Sequence, residues 1–227
     1  MSSSLSMQHV SKSYQPYASK VDIFDDVSMD FVQGNSYAIM GASGSGKSTT
    51  IHLLAGIDTP TSGDIFFADT SISSFSPERA TLFFQKNISL VFQQAALFAE
   101  LTVLENVMLK AILTGQVTEQ SYQHAQQLLQ EVGLLDKAQA YPAMLSGGQQ
   151  QRIAILRAIF IIPEFLLVDE PTGNLDEQSG DQVIDLLLHY HKKYGMGLIM
   201  STHNQKIAHR MQTVLRVENK KLLVVNV

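Results

Sequence analysis

The segment GASGSGKS at residues 41–48 constrains the fold of this chain more than any other feature. It matches the pattern G-x-x-x-x-G-K-[S/T], which requires a preceding strand and a following helix. The apolar run SYAIM precedes it, and a helical pattern at residues 47–55 follows it. Glycines allow the backbone N–H groups to turn inward, and the helix N-terminus adds a partial positive charge. The sequence therefore predicts a loop that binds nucleotide phosphates. A glycine-rich turn without a ligand is the alternative.

Each residue of this loop has an expected contact with the nucleotide or its metal. Lys47 would reach the β- and γ-phosphates, Ser48 would hold Mg²⁺ through its hydroxyl, and Thr49 would add a hydroxyl at the α-phosphate. The predicted phosphate-binding residues are Gly41, Ala42, Ser43, Gly44, Ser45, Gly46, Lys47, Ser48 and Thr49.

A second apolar run, FLLV at residues 165–168, leads directly into Asp169 and Glu170. A buried strand of this kind delivers its last residues to the carboxyl edge of a parallel sheet, where α/β folds bind their ligands. Asp169 would orient Mg²⁺, and Glu170 can polarise the attacking water as a general base, a role typically worth ~10²–10⁴-fold in rate. A strand that ends in an acidic turn is the alternative, and the phosphate loop upstream argues against it.

The residue composition and the apolar spacing of the chain change between residues 94 and 145. Gln, Glu, Leu and Ala dominate there, helical spacing replaces short β-rich runs, and Thr118 is a candidate helix cap. The pattern predicts a helical subdomain at residues 94–145, inserted into a single domain of residues 1–227 with a largely parallel α/β sheet. The predicted strands are residues 5–10, 27–32, 36–40, 64–67, 88–92, 165–169, 198–201, 213–217 and 222–225, and the predicted helices are residues 47–55, 77–86, 103–113, 118–132, 149–160 and 177–194.

Composition excludes several classes of function. A net charge of −5, from 21 acidic and 16 basic residues, does not predict a nucleic-acid-binding surface. Cysteine is absent, so disulfides and thiolate metal sites are excluded. The most apolar stretch, residues 153–168, is interrupted by Arg157, Pro163 and Glu164, so no transmembrane helix is expected. If the protein acts at a membrane, another polypeptide must supply the membrane part.

The segment LSGGQQQRIAILRAI at residues 145–159 narrows the class further. Together with the two motifs above, it makes the chain similar to the ATP-binding cassette ATPases along nearly its whole length. The resemblance implies a P-loop core with an added N-terminal antiparallel β part. It also implies a head-to-tail dimer, in which each ATP lies between the phosphate loop of one copy and this signature of the other. The signature residues that would touch ATP are Ser146, Gly147, Gly148 and Gln149. A capped helix start is the alternative.

Three further positions take roles from the same resemblance. Gln93, at the end of VFQ, matches a glutamine that touches Mg²⁺ or the water and moves with the transport partner. His203, at the end of STH, would hold the γ-phosphate and Glu170 in register. Asp176, in GNLD, matches a loop that crosses the dimer seam. The alternatives are a surface glutamine, a structural histidine and an ordinary helix cap; for Asp176, both interpretations are compatible.

Tyr14 matches the aromatic residue that stacks on adenine in this family. Such stacking contributes roughly 0.5–1.5 kcal/mol beyond burial. Tyr17, in the same predicted polar loop, competes for the role, and surface packing is the alternative.

Three segments resemble one subgroup of these cassettes in particular. GIDTPTSGDI, LTVLENV and DEPTGNLD are most similar to the cassettes of lipoprotein-releasing systems, with macrolide-exporter and cell-division cassettes as near relatives. LSGGQ and VDEP replace the LSGGE and ADEP that are common in this subgroup. The resemblance implies an ATPase subunit that uses ATP and Mg²⁺ and binds integral-membrane permease subunits at the cytoplasmic face of the inner membrane. The acidic charge balance predicts no nucleic-acid partner. The alternative is a regulatory ATPase of the cell-division type, which signals without transport.

Overall fold

The computed structural model describes residues 3–15 and 19–225. The strands, in chain order, are β1 (Ser4–Tyr14), β2 (Val21–Val32), β3 (Ser36–Met40), β4 (Ser62–Phe67), β5 (Thr70–Ser71), β6 (Ile88–Val91), β7 (Phe165–Asp169), β8 (Gly197–Ser201), β9 (Thr213–Glu218) and β10 (Lys221–Val225). The helices are α1 (Lys47–Leu54), α2 (Pro77–Asn87), α3 (Val103–Val107), α4 (Leu109–Leu113), α5 (Glu119–Glu131), α6 (Gly147–Ile159), α7 (Glu177–Tyr194) and α8 (Gln205–Ala208).

The central sheet has six strands in the order β10-β9-β3-β8-β7-β6. All neighbouring pairs are parallel except β9 and β10. Ser201 of β8 is in register with Ile39 of β3 on one side and with Asp169 of β7 on the other. The carboxyl ends of the three strands therefore lie at one edge of the sheet, which confirms the predicted α/β architecture and places the loops after β3, β7 and β8 side by side.

The apolar run of β7 is continuous because both of its faces are buried. Leu166 and Val168 pack into the core that contains α6 and α7, whereas Phe165 and Leu167 pack on the opposite side with α1. Side chains of a strand alternate between faces, so a strand with helices on both sides is apolar at every position. Packing on both faces therefore holds β7, and with it Asp169, in place in the sheet.

A second sheet, with the order β2-β1-β4-β5, is antiparallel and confirms the expected N-terminal β part. Its first two strands are longer than predicted. His9 has φ 51° and the register shifts between Met7 and Val10, as in a β-bulge, which interrupts the alternation that the sequence pattern relies on. Tyr14 consequently ends β1 rather than lying in a loop, and Tyr17 falls outside the described residues.

The helices α3, α4 and α5 follow β6 and precede α6, where the helical insertion was predicted. The single helix expected at residues 103–113 is wrong, because Met108 has ψ 2° and separates α3 from α4. Met108 is buried, so the apolar spacing continues across the break and conceals it. Thr102 caps α3 and Thr118 caps α5, each in a capping box. None of the helices in the described ranges combines the length and apolar character that a bilayer crossing requires.

Candidate nucleotide-binding site

The phosphate loop joins β3 to α1 in a conformation that fits an anion. Gly46 precedes the helix with φ 115°, and a Cβ at this position would come within 2.6 Å of the Ile23 side chain, so only glycine fits. No side chain caps the first turn of α1. The Ser45 hydroxyl is the one buried side-chain polar atom, among the described residues, that lacks a hydrogen-bond partner. Free N–H groups and a free hydroxyl at a helix N-terminus suit a phosphate chain.

A cavity of about 420 Å³ lies over this loop. Its lining is mainly polar, and it brings the phosphate loop together with residues that follow β6 and β7. The lining residues are Ser43, Gly44, residues 46–49, Gln93 and Glu170. Gly41, Ala42 and Ser45 complete the loop behind this surface.

Lys47 is buried, and its ammonium group lies at the centre of the site. Its Nζ donates to the carbonyl oxygens of Gly41 and Ala42, both at 3.2 Å, and lies 3.2 Å from Glu170 Oε1. The loop thus wraps around its own lysine, and the same ammonium group contacts the carboxylate predicted to act as the base.

Ser48 and Asp169 form a pair of oxygen ligands suited to Mg²⁺. The Ser48 hydroxyl donates to Asp169 Oδ1 at 2.9 Å, and the Ser201 hydroxyl donates to the same oxygen at 2.6 Å. Mg²⁺ binds few protein ligands and retains waters or phosphate oxygens, so one carboxylate and one hydroxyl beside a phosphate loop fit this ion. In the described part of the chain, no group of three or more His, Cys, Asp or Glu residues could hold a metal independently.

Glu170 is fixed in an unusual backbone conformation. Its φ is 42°, and its N–H group donates to the Ser201 carbonyl at 3.2 Å and to the Ser201 hydroxyl at 2.9 Å. A non-glycine residue in this region is strained, and such strain concentrates at functional sites. Ser201 therefore orients both acids, a role that sequence analysis missed because a serine within an apolar strand carries no distinctive pattern.

The Glu170 carboxylate also contacts His203, whose Nδ1 lies 3.1 Å from Oε2. Burial alone would raise the pKa of the Glu170 carboxyl group, but the hydrogen bonds from Lys47 and His203 outweigh it and hold this pKa below its ordinary value. Glu170 is thus ionised at neutral pH. The structure thus brings Lys47, Glu170 and His203 together.

Gln93 lies just after β6 and contributes to the lining of the same cavity. A Cβ at Gly173 would lie 2.6 Å from Gln93 Nε2, so the glycine of GNLD leaves room for this side chain. Gln93 is exposed, as expected for a residue between the site and the surface.

The signature residues lie outside the lining of this cavity. Ser146 is the N-cap of α6 and forms a capping box with Gln149: the Gln149 N–H donates to Ser146 Oγ at 3.3 Å, and Ser146 N–H donates to Gln149 Oε1 at 2.9 Å. Ser146 therefore caps a helix, as the alternative interpretation of this segment expected. Ser146 and Gly147 are nonetheless exposed, and Gly148 fits closely against Ser179, so the helix N-terminus faces outward.

Asp176 is the N-cap of α7, and its carboxylate accepts a hydrogen bond from Ser179 N–H at 2.9 Å. The hydrogen bonds from the Ser179 side chain and from its N–H group hold the pKa of Asp176 below its ordinary value. The aspartate is exposed, so the cap leaves it available at the surface.

Tyr14 stands outside the cavity lining, at the end of β1, and its side chain is partly exposed. Its hydroxyl donates to Asp58 Oδ2 at 2.5 Å, and Lys12 Nζ lies 4.6 Å from the ring centroid. Lys12 and Asp58 were not singled out from the sequence, because 46 residues separate them and no motif contains both.

A phosphate loop at a helix N-terminus, beside two acids at the end of another parallel strand of the same sheet, defines a P-loop nucleoside triphosphatase. Within that class, residues 24–173 match the family model described as ABC transporter. The match covers more than half of the chain, so the chain belongs to the ABC transporter ATP-binding family. It is an ATP-binding protein of a family of ATPases that are coupled to transport.

Curated relatives match nearly the full length. The chain is 39% identical to a lipoprotein-releasing system ATP-binding protein of Oleidesulfovibrio alaskensis, over 96% of this chain and 94% of the relative. It is 42% identical to the protein of the same name from Nitratidesulfovibrio vulgaris, over 90% and 88%. Among solved structures, the ATP-binding cassette MJ0796, described as a dimer in a post-hydrolysis state with ADP and Pi, matches with TM-score 0.87 and 30% identity, over 96% of both chains.

Proposed function

We propose that this chain hydrolyses ATP as the cytoplasmic subunit of a lipoprotein-releasing type of ABC transporter. The observation that carries the proposal is the convergence of Lys47, Ser48 and Glu170 on one cavity of about 420 Å³, with Asp169 hydrogen-bonded to Ser48. Curated relatives that match most of the chain are named for lipoprotein release. These names favour transport over the cell-division type of regulatory role.

The phosphate loop would bind the triphosphate of ATP. The N–H groups of residues 41–46 would surround the phosphates, Lys47 would neutralise the β- and γ-phosphates, and Thr49 would lie at the α-phosphate. Bound Mg²⁺, held by Ser48 and Asp169 with Gln93 nearby, would withdraw charge from the phosphate oxygens. Tyr14 would stack on the adenine ring.

Glu170 would act as the general base. It is ionised at neutral pH, and His203 and Ser201 fix its carboxylate and its backbone. In this structure the Lys47 ammonium group forms an ion pair with the Glu170 carboxylate, with 3.2 Å between Nζ and Oε1. A γ-phosphate that attracts Lys47 would weaken that contact and raise the basicity of Glu170, so ATP binding itself would favour proton abstraction.

A second copy would complete each site. The N-terminus of α6, with Ser146, Gly147, Gly148 and Gln149, lies outside the cavity over its own phosphate loop, and its helix N-terminus would suit a phosphate of the second copy's ATP. Asp176 would lie at the seam. The similarity to a cassette solved as a dimer supports this head-to-tail arrangement.

The partners in the membrane would be permease subunits, reached through the helical subdomain at residues 94–145. The chain would sit at the cytoplasmic face of the inner membrane as a peripheral subunit. Its net charge of −5 argues against a nucleic-acid partner.

Glu170→Gln tests the proposal directly. The variant keeps the shape of the side chain and the Mg²⁺ ligands, so ATP affinity should stay within about threefold while turnover falls by ~10²–10⁴-fold. Its dimer should accumulate with ATP, which size-exclusion chromatography measures. Asp185→Asn, an exposed acid in α7 remote from the cavity, is the matched control and should behave as the parent. Normal steady-state hydrolysis by Glu170→Gln would refute the general-base role.

A further inference from the structure

Lys12 is an almost buried lysine that sequence motifs do not explain. Its side chain is 9% exposed, and its Nζ lies 2.5 Å from Asp58 Oδ1. It also donates to the Thr59 carbonyl oxygen at 2.8 Å. A buried ammonium group is tolerated only when it is paired and hydrogen-bonded, and here both conditions are met. Asp58 follows α1, so this pair joins β1 to the end of the helix that opens at the phosphate loop.

The same pair holds the Tyr14 side chain at two points. The second oxygen of Asp58 accepts the Tyr14 hydroxyl at 2.5 Å, and Lys12 Nζ lies over one face of the ring, 4.6 Å from the centroid. Asp58 Oδ1 therefore binds Lys12 and also accepts the Thr59 N–H group at 2.8 Å, while Oδ2 binds Tyr14. The ammonium group of Lys12 covers one face of the ring. Tyr14 as a whole is still 39% exposed, so part of its surface remains available to a ligand.

The electrostatics agree with this geometry. Burial raises the pKa of the Tyr14 phenol and the Asp58 contact raises it further, although a hydrogen bond with Thr49 acts in the opposite sense. For Asp58, burial raises the pKa, but the hydrogen bonds from Lys12 and Tyr14 outweigh it. The phenol is thus neutral and donates, and the carboxylate is charged and accepts. Thr49 belongs to α1 and lines the phosphate cavity, which places the phenol beside the expected path of the nucleotide.

We propose that Lys12 and Asp58 are positioning residues that fix the Tyr14 ring as a one-sided platform for the base of the nucleotide. The inference rests on the proposed role of Tyr14 in base stacking. A ring that is already held loses little conformational freedom when a ligand binds, so its stacking contributes more to affinity. Since stacking uses the face of the ring, this platform recognises a planar base without distinguishing adenine from guanine.

The test compares a ligand that has a base with one that lacks it. Affinities for ATP and for inorganic tripolyphosphate, both with Mg²⁺, are measured by calorimetry on the full chain. Tyr14→Phe keeps the ring and loses the hydroxyl with its bonds to Asp58 and Thr49. Asp58→Asn keeps the shape of the side chain and loses its charge. Each should weaken ATP binding about two- to tenfold, from the ordering of one side chain, and should leave tripolyphosphate unchanged.

A double-mutant cycle separates positioning from a general effect on the fold. In a Tyr14→Ala background, Asp58→Asn should have no further effect on ATP affinity. Equal losses for ATP and tripolyphosphate, or a full Asp58→Asn effect without the ring, would overturn the inference. If Asp58→Asn does not fold, by circular dichroism, Tyr14→Phe decides alone, and unchanged ATP affinity overturns the inference.

Two further variants distinguish a failure of this inference from a failure of the proposed function. If Tyr14→Ala leaves ATP affinity unchanged while Lys47→Ala weakens it, the platform is wrong and the phosphate site stands. If neither variant changes ATP affinity, the nucleotide site itself is misplaced.

Discussion

At the scale of single residues, Lys47 lies at the centre of the proposed phosphate site. Its ammonium group links the loop carbonyls of Gly41 and Ala42 to the Glu170 carboxylate. Lys47→Ala should weaken ATP binding as well as turnover, because the ammonium group neutralises phosphate charge in the ground state and in the transition state. Direct binding of a fluorescent ATP analogue measures the first effect, and phosphate release measures the second.

A charge-matched variant sharpens this prediction. Lys47→Arg keeps the positive charge, but a planar guanidinium cannot fit where a compact ammonium group donates to two loop carbonyls. It should recover part of the ATP affinity and little of the turnover. Unchanged ATP affinity in Lys47→Ala would remove Lys47 from the phosphate site.

At the scale of elements, α6 connects the signature to the loop that follows Gln93. Arg157, near the end of α6, donates to the Ala96 carbonyl at 2.8 Å and to the Ala95 carbonyl at 3.0 Å, and Gln151 donates to the Phe92 carbonyl at 2.9 Å. Ala96 has φ 45°, so this loop keeps a strained conformation that the helix supports.

Arg157→Met should release that loop. The variant fills similar space but removes two charge-assisted hydrogen bonds, so the free energy of unfolding should fall by about 1–3 kcal/mol. Amide hydrogen exchange at residues 92–98 should become faster, whereas exchange in α1 should not change. Arg157→Lys keeps the charge but lacks the planar set of donors of arginine, so its exchange rate at residues 92–98 should lie between those of the unaltered chain and Arg157→Met. Unchanged exchange at residues 92–98 would show that other contacts hold the loop.

The order of most elements and the position of the loop between β3 and α1 could be predicted because each depends on neighbours in sequence. The glycine loop, the run before Asp169 and the capping Thr118 are local signals, and the structure places all of them as expected. The bulge at His9, the break at Met108 and the Lys12–Asp58 pair could not be predicted. They depend on backbone angles or on contacts between distant segments, which local sequence signals do not specify.

At the scale of the whole molecule, the proposal requires two copies for each catalytic site. Ser146→Arg puts bulk and positive charge at the outward N-terminus of α6, where it would block closure on a second copy. It also removes the N-cap, which typically costs about 1 kcal/mol. Ser146→Ala loses the same cap without bulk or charge and is therefore the matched control, with closure largely retained.

Mixing two defective chains tests whether the site is shared. Alone, Lys47→Ala lacks a working phosphate loop and Ser146→Arg lacks a working signature, so both should be inactive. In a head-to-tail heterodimer, both lesions fall in one site, and the other site combines the intact loop of the Ser146→Arg chain with the intact signature of the Lys47→Ala chain. Phosphate release should therefore reappear on mixing. A chain that carries both substitutions, mixed with the unaltered chain, places one lesion in each site, and the resulting heterodimer should be inactive. Absence of recovery at every mixing ratio, with the Ser146→Ala control active, would mean that each chain builds its site alone.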